Sequence, residues 1–278
     1  MSYKFIPVDI SEEKIKQYAL LLSSVFTDTK KFTVDFLNWQ YAKNPMGKVV
    51  GYDAYYENEL AAHYVTIPVV YNLNGSQKKG LLSLNTATHP KHQGKGLFTQ
   101  LATKTYELAA SLGYEFVIGV ANQNSTHGFL KKLGFYLISP LDVKIGMGKI
   151  NLQNDIDRYN WKASWNSESI DWRLANPSIN YYKQKDLLLA DTGKMSIHAV
   201  MSQSSLITEN NKPIKKSFVP FKTWIGIADQ KKLGLLLFTL PDKLKPSPLN
   251  LIFKDLTGKL PIFKKGDVFF ELVDFDAY

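Results

Sequence analysis

A glycine-rich turn between a predicted strand and a predicted helix carries the clearest chemical signal in the sequence. Gln93-Gly94-Lys95-Gly96-Leu97-Phe98 occupies this junction, where the free N–H groups of a helix start can converge on an anion. The turn fits neither the P-loop pattern, which ends in Gly-Lys-Ser or Gly-Lys-Thr, nor the dinucleotide pattern, which needs glycine at Thr99. The pattern therefore indicates either an anion site of another kind or a plain structural turn.

The chain around this turn is basic. Between Glu59 and Glu107 the sequence has no acidic residue. A bound anion would therefore meet positive side chains as well as the dipole of the helix. Charge alone also fits a solvated lysine surface, so the surrounding motifs must decide. The basic residues of this window are Lys78, Lys79, Lys91, Lys95 and Lys104, with His63, His89 and His92.

The turn follows a predicted antiparallel meander, whose hairpin turn is Asn74-Gly75. Apolar residues at helical spacing follow the turn, and Gly113 supplies a left-handed stop. A strand thus passes into a helix through glycines. The predicted order is a helix from Ser11, a helix ending near Asn44-Pro45, strands at 51–56, 60–72 and 80–88, a helix from Leu97, a strand at 114–120, a short helix capped by Asn124-Ser125, and a strand from Phe135.

Composition limits the class of protein. The chain has 278 residues, of which 45% are hydrophobic and 21% charged, so we expect a folded protein of one large or two ordinary domains. It contains no cysteine, which excludes thiol nucleophiles and cysteine-bound metals and fits a reducing compartment. Because no apolar run approaches the ~20 residues of a membrane span, we expect a cytoplasmic protein with no membrane partner. We also expect no metal, because the close histidines His89 and His92 have no carboxylate nearby in the sequence.

The positive charge does not point to a nucleic-acid partner. The formal net charge is +9, but residues 1–150 carry 16 basic and 11 acidic residues (+5) and the remainder 18 and 14 (+4). This even distribution leaves no basic tail. Nucleic-acid binding, or acyl transfer that depends on aminoacyl-tRNA, is accordingly the least favoured hypothesis.

The run from Thr88 to Phe98 resembles the strand-loop-helix acyl-CoA motif of the GNAT superfamily of acyl-CoA-dependent N-acyltransferases. The family pattern is Arg or Gln, two residues, Gly, one residue, then Gly or Ala. Gln93 and Gly96 match it, whereas Phe98 stands where Gly or Ala is usual. Asn124 with Leu133-Gly134-Phe135 resembles the family's next motif. The resemblance covers about residues 1–150 and is best over 81–136.

The resemblance implies an α+β fold, in which a mixed sheet of an antiparallel meander and splayed parallel strands is flanked by helices. It also implies acetyl-CoA as co-substrate and an amine-bearing acceptor as the second partner, and it leaves the oligomeric state unknown. The main chain of Thr86, Ala87 and Thr88 would pair with the pantetheine arm. The backbone N–H groups that would bind the diphosphate belong to Gln93, Gly94, Lys95, Gly96, Leu97 and Phe98, and Asn124 completes the expected donor site.

The resemblance fails at the proton-transfer groups. Counting back from Gly134, Leu130 stands where many family members carry a tyrosine that protonates the departing thiolate. Ser125, Thr126 or His127 could relay a proton instead. The candidates for a base that accepts the proton of the amine are His63, His89, His127 and Tyr64. We expect His127 and Ser125 to be the catalytic residues.

The second half of the sequence predicts short strands joined by Pro-, Asn- and Lys-rich connections. Leu37 to Pro45, with Trp39, is echoed by Ile170 to Pro177, with Trp172. A tandem duplication and a chance match both explain this echo. The segment 269–276 is predicted to be a terminal strand in which some of the acids face outward or hold a cationic acceptor.

We therefore expect two domains. Residues 1–150 would form the GNAT-like N-acyltransferase domain, and residues 151–278 a smaller α+β domain, a degenerate GNAT-like repeat that shapes the acceptor site. The expected reaction moves an acetyl or other acyl group from acyl-CoA to a primary amine by direct attack in a ternary complex. The alternative is a non-catalytic acyl-CoA sensor or scaffold, which the missing tyrosine favours.

Overall fold

The computed structural model describes residues 2–26, 30–147, 150, 153–184, 187–191, 197–202, 215–216, 221–227, 236–241, 243, 245 and 247–275. Its helices and strands follow the order β1 (Lys4–Pro7), α1 (Glu12–Val25), α2 (Val34–Ala42), β2 (Val50–Tyr56), β3 (Glu59–Leu73), β4 (Ser76–Thr88), α3 (Leu97–Ser111), β5 (Phe116–Ala121), α4 (Gln123–Lys132), β6 (Tyr136–Pro140), β7 (Asp142–Met147), β8 (Trp161–Ala163), α5 (Ser167–Leu174), β9 (Asn180–Gln184), β10 (Leu187–Asp191), β11 (Ile197–Met201), β12 (Lys215–Lys216), β13 (Phe221–Ile227), β14 (Leu237–Thr239), β15 (Asn250–Asp255) and β16 (Phe270–Glu271). No helix among the described residues is long and apolar enough to span a membrane.

The first sheet has the order β1-β2-β3-β4-β5-β15-β6, and β8 pairs with β3 outside this path. Strands β1 to β4 are antiparallel, β4 and β5 are parallel, and β15 is antiparallel to both β5 and β6. One apolar core includes residues of α1 and α2, and a second includes residues of α3 and α4. This arrangement confirms the predicted α+β fold, with a meander and a parallel pair in one mixed sheet.

The second sheet repeats the pattern of the first, apart from its edge strand β12, which is parallel to β9 whereas β1 is antiparallel to β2. Its order is β12-β9-β10-β11-β13-β7-β14, with β16 beside β13. Strands β11 and β13 are parallel, as are β4 and β5, and β7 is antiparallel to both β13 and β14, as β15 is to β5 and β6. The inserted strand comes in each case from the other half of the sequence. The two sheets therefore exchange strands, and no single cut in the chain separates them; the division at residue 150 stays a prediction.

The tryptophans of the sequence echo meet at the contact between α2 and α5. Trp39 Nε1 donates to the carbonyl oxygen of Trp172 at 2.6 Å, and Trp172 Nε1 donates to that of Trp39 at 2.9 Å. Their rings stack with centroids 4.9 Å apart and an interplanar angle of 15°. Such reciprocal contacts are those of a two-fold related pair. Together with the repeated strand pattern, they support the duplication hypothesis.

The C-terminal segment differs from its prediction. Residues 270–271 form a two-residue strand, and Leu272–Asp274 form a turn of 3₁₀ helix. Glu271 and Asp274 are buried, with 2% and 5% of their surface exposed. The prediction of outward-facing acids is therefore wrong for Glu271 and Asp274, because a partial alternation in sequence does not specify which face of a short strand is covered. Asp276 lies outside the described residues.

Candidate functional site

A gap opens in the first sheet where β4 and β5 part. Their parallel register runs from Gly80 beside Phe116 to Ser83 beside Gly119. Beyond this point β4 continues to Thr88 with pairing on its β3 side, and β5 continues to Ala121 with pairing on its β15 side. Among the described residues, no strand pairs with either of the edges that face the gap. An extended chain can hydrogen-bond to such an edge as an added strand does.

The last residues of β4 begin with a β-bulge. Val65 on β3 is paired with Leu84, but His63 is paired with Ala87. Asn85 and Thr86 therefore lie opposite the single residue Tyr64, and Asn85 has a φ of +45°. A bulge of this kind bends a strand and turns a backbone group out of the ladder. It begins here at the second residue after the parallel pairing ends.

The glycine turn presents a row of backbone donors. Gly94 and Gly96 have φ values of +72° and +70°, and Gly96 is the N-cap of α3. In the described part of the chain, the N–H groups of Gly94 through Thr99 have no hydrogen-bond acceptor, and Gln100 is the first whose N–H bonds back, to Gly96 O at 3.2 Å. The amide of Gln93 is occupied, because it donates to Pro90 O at 3.3 Å. The donor row thus begins one residue later than the sequence indicates.

These amides line a pocket of about 310 Å³ between the turn and α4. Lys95 and Lys132 contribute positive charge, and no carboxylate lines the pocket. Free N–H groups, a helix N-terminus and two lysines together suit an anion such as a diphosphate. The lining residues that the sequence predicted are Thr88, Gln93, Gly94, Lys95, Gly96, Leu97, Phe98, Asn124 and His127; those it missed are His92, Thr99, Gly128 and Lys132.

Phe98, the departure from the acyl-CoA pattern, contacts α4. Its ring lies 5.2 Å from the ring of Phe129 in an edge-on arrangement. A Cβ atom at Gly128 would lie 2.9 Å from Phe98 Cε1, so a larger residue there would require this ring to move. The bulk at position 98 is therefore accommodated by a glycine on the neighbouring helix. Sequence patterns within the turn alone could not show this compensation.

The start of α4 is fixed by Asn122. Its Oδ1 accepts from the amides of Asn124 and Ser125 at 3.0 Å each, and the Asn122 amide donates to Ser125 Oγ at 3.1 Å. The cap is thus Asn122 and not the predicted Asn124-Ser125. Ser125 is committed to this capping box, whereas His127 is exposed and lines the pocket. Leu130 is half-buried and packs with the core beneath α3.

The other residues considered as proton acceptors lie in different surroundings. Tyr64 contacts Tyr106 Oη at 2.6 Å and Ser83 Oγ at 2.8 Å through its hydroxyl, and burial raises its pKa to about 12. Tyr64 is therefore a neutral group at physiological pH. His89 accepts from the Lys91 amide. His63 is fully buried on the opposite face of β3, beside Asp53 and Tyr41.

The second sheet has a position that corresponds to the gap between β4 and β5 in the first sheet, but here the chain itself fills it. Strands β11 and β13 are paired up to Ala199 and Trp224. Beyond this point β16 pairs with β13 through Gly226 and Glu271, on the side opposite β7. Ser202, which follows β11, donates to Glu271 Oε1 through both its amide and its hydroxyl. An extended ligand would find this edge of β13 already occupied.

The carboxyls in this filled gap make stability depend on pH. Burial raises the pKa of Glu271 to about 8 and that of Asp274 to about 6. A group whose pKa is higher in the folded protein stabilises it below the unfolded pKa, and this stabilisation is lost as pH rises through the folded pKa. We expect the native free energy of unfolding to fall by about 2–3 kcal/mol between about pH 6 and 9, and Glu271→Gln to remove most of this fall. Urea unfolding at both pH values measures the fall in the free energy of unfolding. Glu107→Gln, at an exposed position, is the control. If the free energy of unfolding depended on pH in the same way for Glu271→Gln and the native protein, Glu271 would not be the source of the fall.

Comparisons with known proteins agree with this geometry. Residues 8–138 match the family model of the acetyltransferase (GNAT) domain. No curated protein sequence matches the chain. Among solved structures, a probable N-acyltransferase from Enterococcus faecalis V583 has a TM-score of 0.60 at 9% identity, over 92% of this chain and 73% of that one.

Two further structures share the fold. A GCN5-related N-acetyltransferase from Anabaena variabilis has a TM-score of 0.60 at 12% identity, over 92% of this chain and 74% of its own. The N-myristoyltransferase of Saccharomyces cerevisiae, solved with myristoyl-CoA, has a TM-score of 0.56 at 12% identity, over 91% and 82%. At these identities the likeness shows the fold alone. Residues 8–138, slightly less than half of the chain, are thus similar to the GNAT acetyltransferase family in sequence as well as in fold.

Proposed function

We propose that this chain is an acyl-CoA-dependent N-acyltransferase that moves an acetyl or another acyl group to a primary amine of a small molecule or peptide. The observation that carries the proposal is the row of free N–H groups from Gly94 to Thr99, in a pocket with Lys95 and Lys132. The diphosphate of coenzyme A suits this row. The pantetheine arm would then run along Thr86, Ala87 and Thr88 at the edge of β4, where no strand of the described part of the chain pairs with it on the β5 side.

The proposed reaction is direct transfer. The amine nitrogen attacks the thioester carbonyl, so that an N–C bond forms and the C–S bond breaks; the nitrogen loses a proton and the thiolate of coenzyme A gains one. Positioning of the two substrates and a backbone donor for the developing oxyanion supply most of the acceleration. A thiol of pKa ~8.5 is a tolerable leaving group. His127 is the preferred residue for proton transfer, because the hydroxyl of Ser125 already serves the capping box.

The two halves of the chain would have different tasks. Residues 1–150 contribute every residue of the proposed donor pocket. Because β16 already occupies the corresponding edge in the second sheet, we propose one donor site per chain and assign to residues 151–278 the shaping of the acceptor site. We further propose that the protein acts in the cytoplasm, since a chain without cysteine fits a reducing compartment.

The decisive experiment is turnover of acetyl-CoA with a panel of primary amines that includes amino sugars, amino acids, polyamines and peptide N-termini. Because the protein has no cysteine, a thiol reagent reports only the coenzyme A that is released. Amine-dependent thiol release establishes the transferase. Binding of acetyl-CoA by calorimetry without turnover of any amine would favour the sensor, and strongly salt-dependent retention of RNA would favour the nucleic-acid hypothesis.

Replacing Leu130 by tyrosine tests the missing acid. If protonation of the thiolate limits turnover, Leu130→Tyr should raise kcat by about tenfold or shift its pH profile, because a positioned general acid contributes at least that much. The matched control is Leu130→Phe, which adds a similar ring without the hydroxyl. Equal rates for the two variants would mean that another step limits turnover.

A further inference from the structure

A chain of buried hydrogen bonds begins at the bulge of β4. Asn85 Nδ2 donates to Gln40 Oε1 at 2.6 Å and to Tyr41 Oη at 3.0 Å. Both acceptors lie on α2, and both are fully buried. The two hydrogens of the Asn85 amide are therefore both used. Rotation of this side chain would break both bonds at once.

The chain continues to a carboxylate below α1. Tyr41 Oη lies 3.1 Å from His63 Nε2, and His63 Nδ1 lies 2.6 Å from Asp53 Oδ1. Since Tyr41 accepts from Asn85, its own hydrogen is available to donate to His63 Nε2. In the tautomer with its ring hydrogen on Nδ1, His63 accepts from Tyr41 at Nε2 and donates a hydrogen bond to Asp53. Every bond from Asn85 to Asp53 thus has the same direction.

Packing alone does not account for this chain. Burying a carboxylate and an imidazole costs free energy unless both are hydrogen-bonded, and apolar residues of similar size are often at least as stabilising. Burial also raises the pKa of Tyr41 far above its ordinary value, so its hydroxyl remains a donor at any physiological pH. This series of hydrogen bonds fixes the orientation of one residue, Asn85, which has the left-handed backbone conformation of the bulge.

We propose that Asp53, His63 and Tyr41 are positioning residues that hold Asn85, so that a backbone amide of the bulge faces the thioester carbonyl. The proposal rests on the proposed function, in which acyl-CoA occupies the gap between β4 and β5. Asn85 follows the last parallel pair, Ser83 and Gly119, by only two positions, so the bulge lies where the thioester enters the sheet. A donor that is fixed before the reaction stabilises an oxyanion more than a mobile one.

The test compares two Tyr→Phe substitutions, each of which removes one hydroxyl from the same buried cluster. Tyr41 contacts Asn85, whereas Tyr18 donates to the far end, Asp53 Oδ2, at 2.7 Å; both side chains are fully buried. Tyr41→Phe and Tyr18→Phe should therefore lower the melting temperature to a similar extent. The readout for positioning is the ¹³C resonance of the carbonyl of bound [1-¹³C]acetyl-CoA, which requires no acceptor.

We expect Tyr41→Phe to move this resonance toward its value in free acetyl-CoA and to lower amine-dependent kcat by about tenfold, with the Kd of acetyl-CoA nearly unchanged. Tyr18→Phe should leave the resonance in its native position. Asn85→Gly is the second variant, because glycine adopts the left-handed conformation without strain but lacks the anchor; it should behave as Tyr41→Phe does, even if the latter fails to fold.

Two results would overturn the positioning role: a native resonance and native kcat in Asn85→Gly, or equal shifts in Tyr18→Phe and Tyr41→Phe. Failure of the proposed function would be distinct, because the native protein itself would then show no amine-dependent turnover, as a sensor does, or no bound resonance at all. Either result would overturn the positioning role as well. A shifted resonance confined to Tyr41→Phe and Asn85→Gly supports it.

Discussion

Gly96→Asp is expected to abolish the binding of acetyl-CoA while the protein stays folded. Gly96 is the N-cap of α3 and lies within the row of free amides. A carboxylate at this position would repel the diphosphate and compete for the same N–H groups. The nearest atom to an added Cβ is Gln100 Nε2 at 3.7 Å, so the side chain fits. We expect the Kd to rise by about 100-fold or more, measured by calorimetry.

Gly113→Asp is the matched control for this substitution. Gly113 lies just beyond the other end of α3, with a φ of +83° and open space around an added Cβ. Both variants incur the cost of about 1–2 kcal/mol of a left-handed residue and add the same charge, but only Gly96→Asp places it in the pocket. If Gly96→Asp bound acetyl-CoA with native affinity, or if both variants bound it equally weakly, the glycine turn would not be the binding site of the diphosphate.

Of all the substitutions proposed, Trp172→Ala is expected to lower the free energy of unfolding most. It removes the stacked ring, which is 7% exposed, and the hydrogen bond from Trp172 Nε1 to Trp39 O. Large-to-alanine changes of this kind cost about 3–5 kcal/mol. The guanidinium of Arg173, 4.8 Å from the Trp172 ring, would lose a partner as well. Urea unfolding measures the change.

The near-symmetry of this contact sharpens the prediction. Trp39→Ala should cost a similar amount, and the double variant less than the sum, because both changes remove the same stacking. Leu20→Ala is the control, since that side chain is 74% exposed. Additive losses, or a loss in Trp172→Ala no larger than in Leu20→Ala, would show that the two tryptophans do not join the halves.

Features that depend on neighbours along the chain were predictable from the sequence. Asn74-Gly75 forms the predicted turn with φ values of +49° and +90°, and the glycines around Lys95 form the predicted helix start. Turn and cap residues act through their own backbone conformation. The short helix after β5 shows the limit of this approach: its cap is Asn122, two positions before the predicted Asn124.

Features that depend on distant residues were not predictable. His63 was considered as an isolated histidine, because its partners Tyr41 and Asp53 belong to other elements and give no local signal. The exchange of β7 and β15 has the same origin, since periodicity indicates that a strand exists but not which sheet it joins. The filled gap in the second sheet likewise depends on a segment about 45 residues further along the chain than β13.

The position of β15 has a consequence for biosynthesis. β5 ends at Ala121, but its second neighbour begins at Asn250. During translation at roughly 5–20 residues per second, β5 must wait on the order of ten seconds on the ribosome as an open sheet edge. A nascent chain in this state exposes a template for wrong pairing, so the last strand of the first sheet to be synthesised is also the one that closes the edge against aggregation.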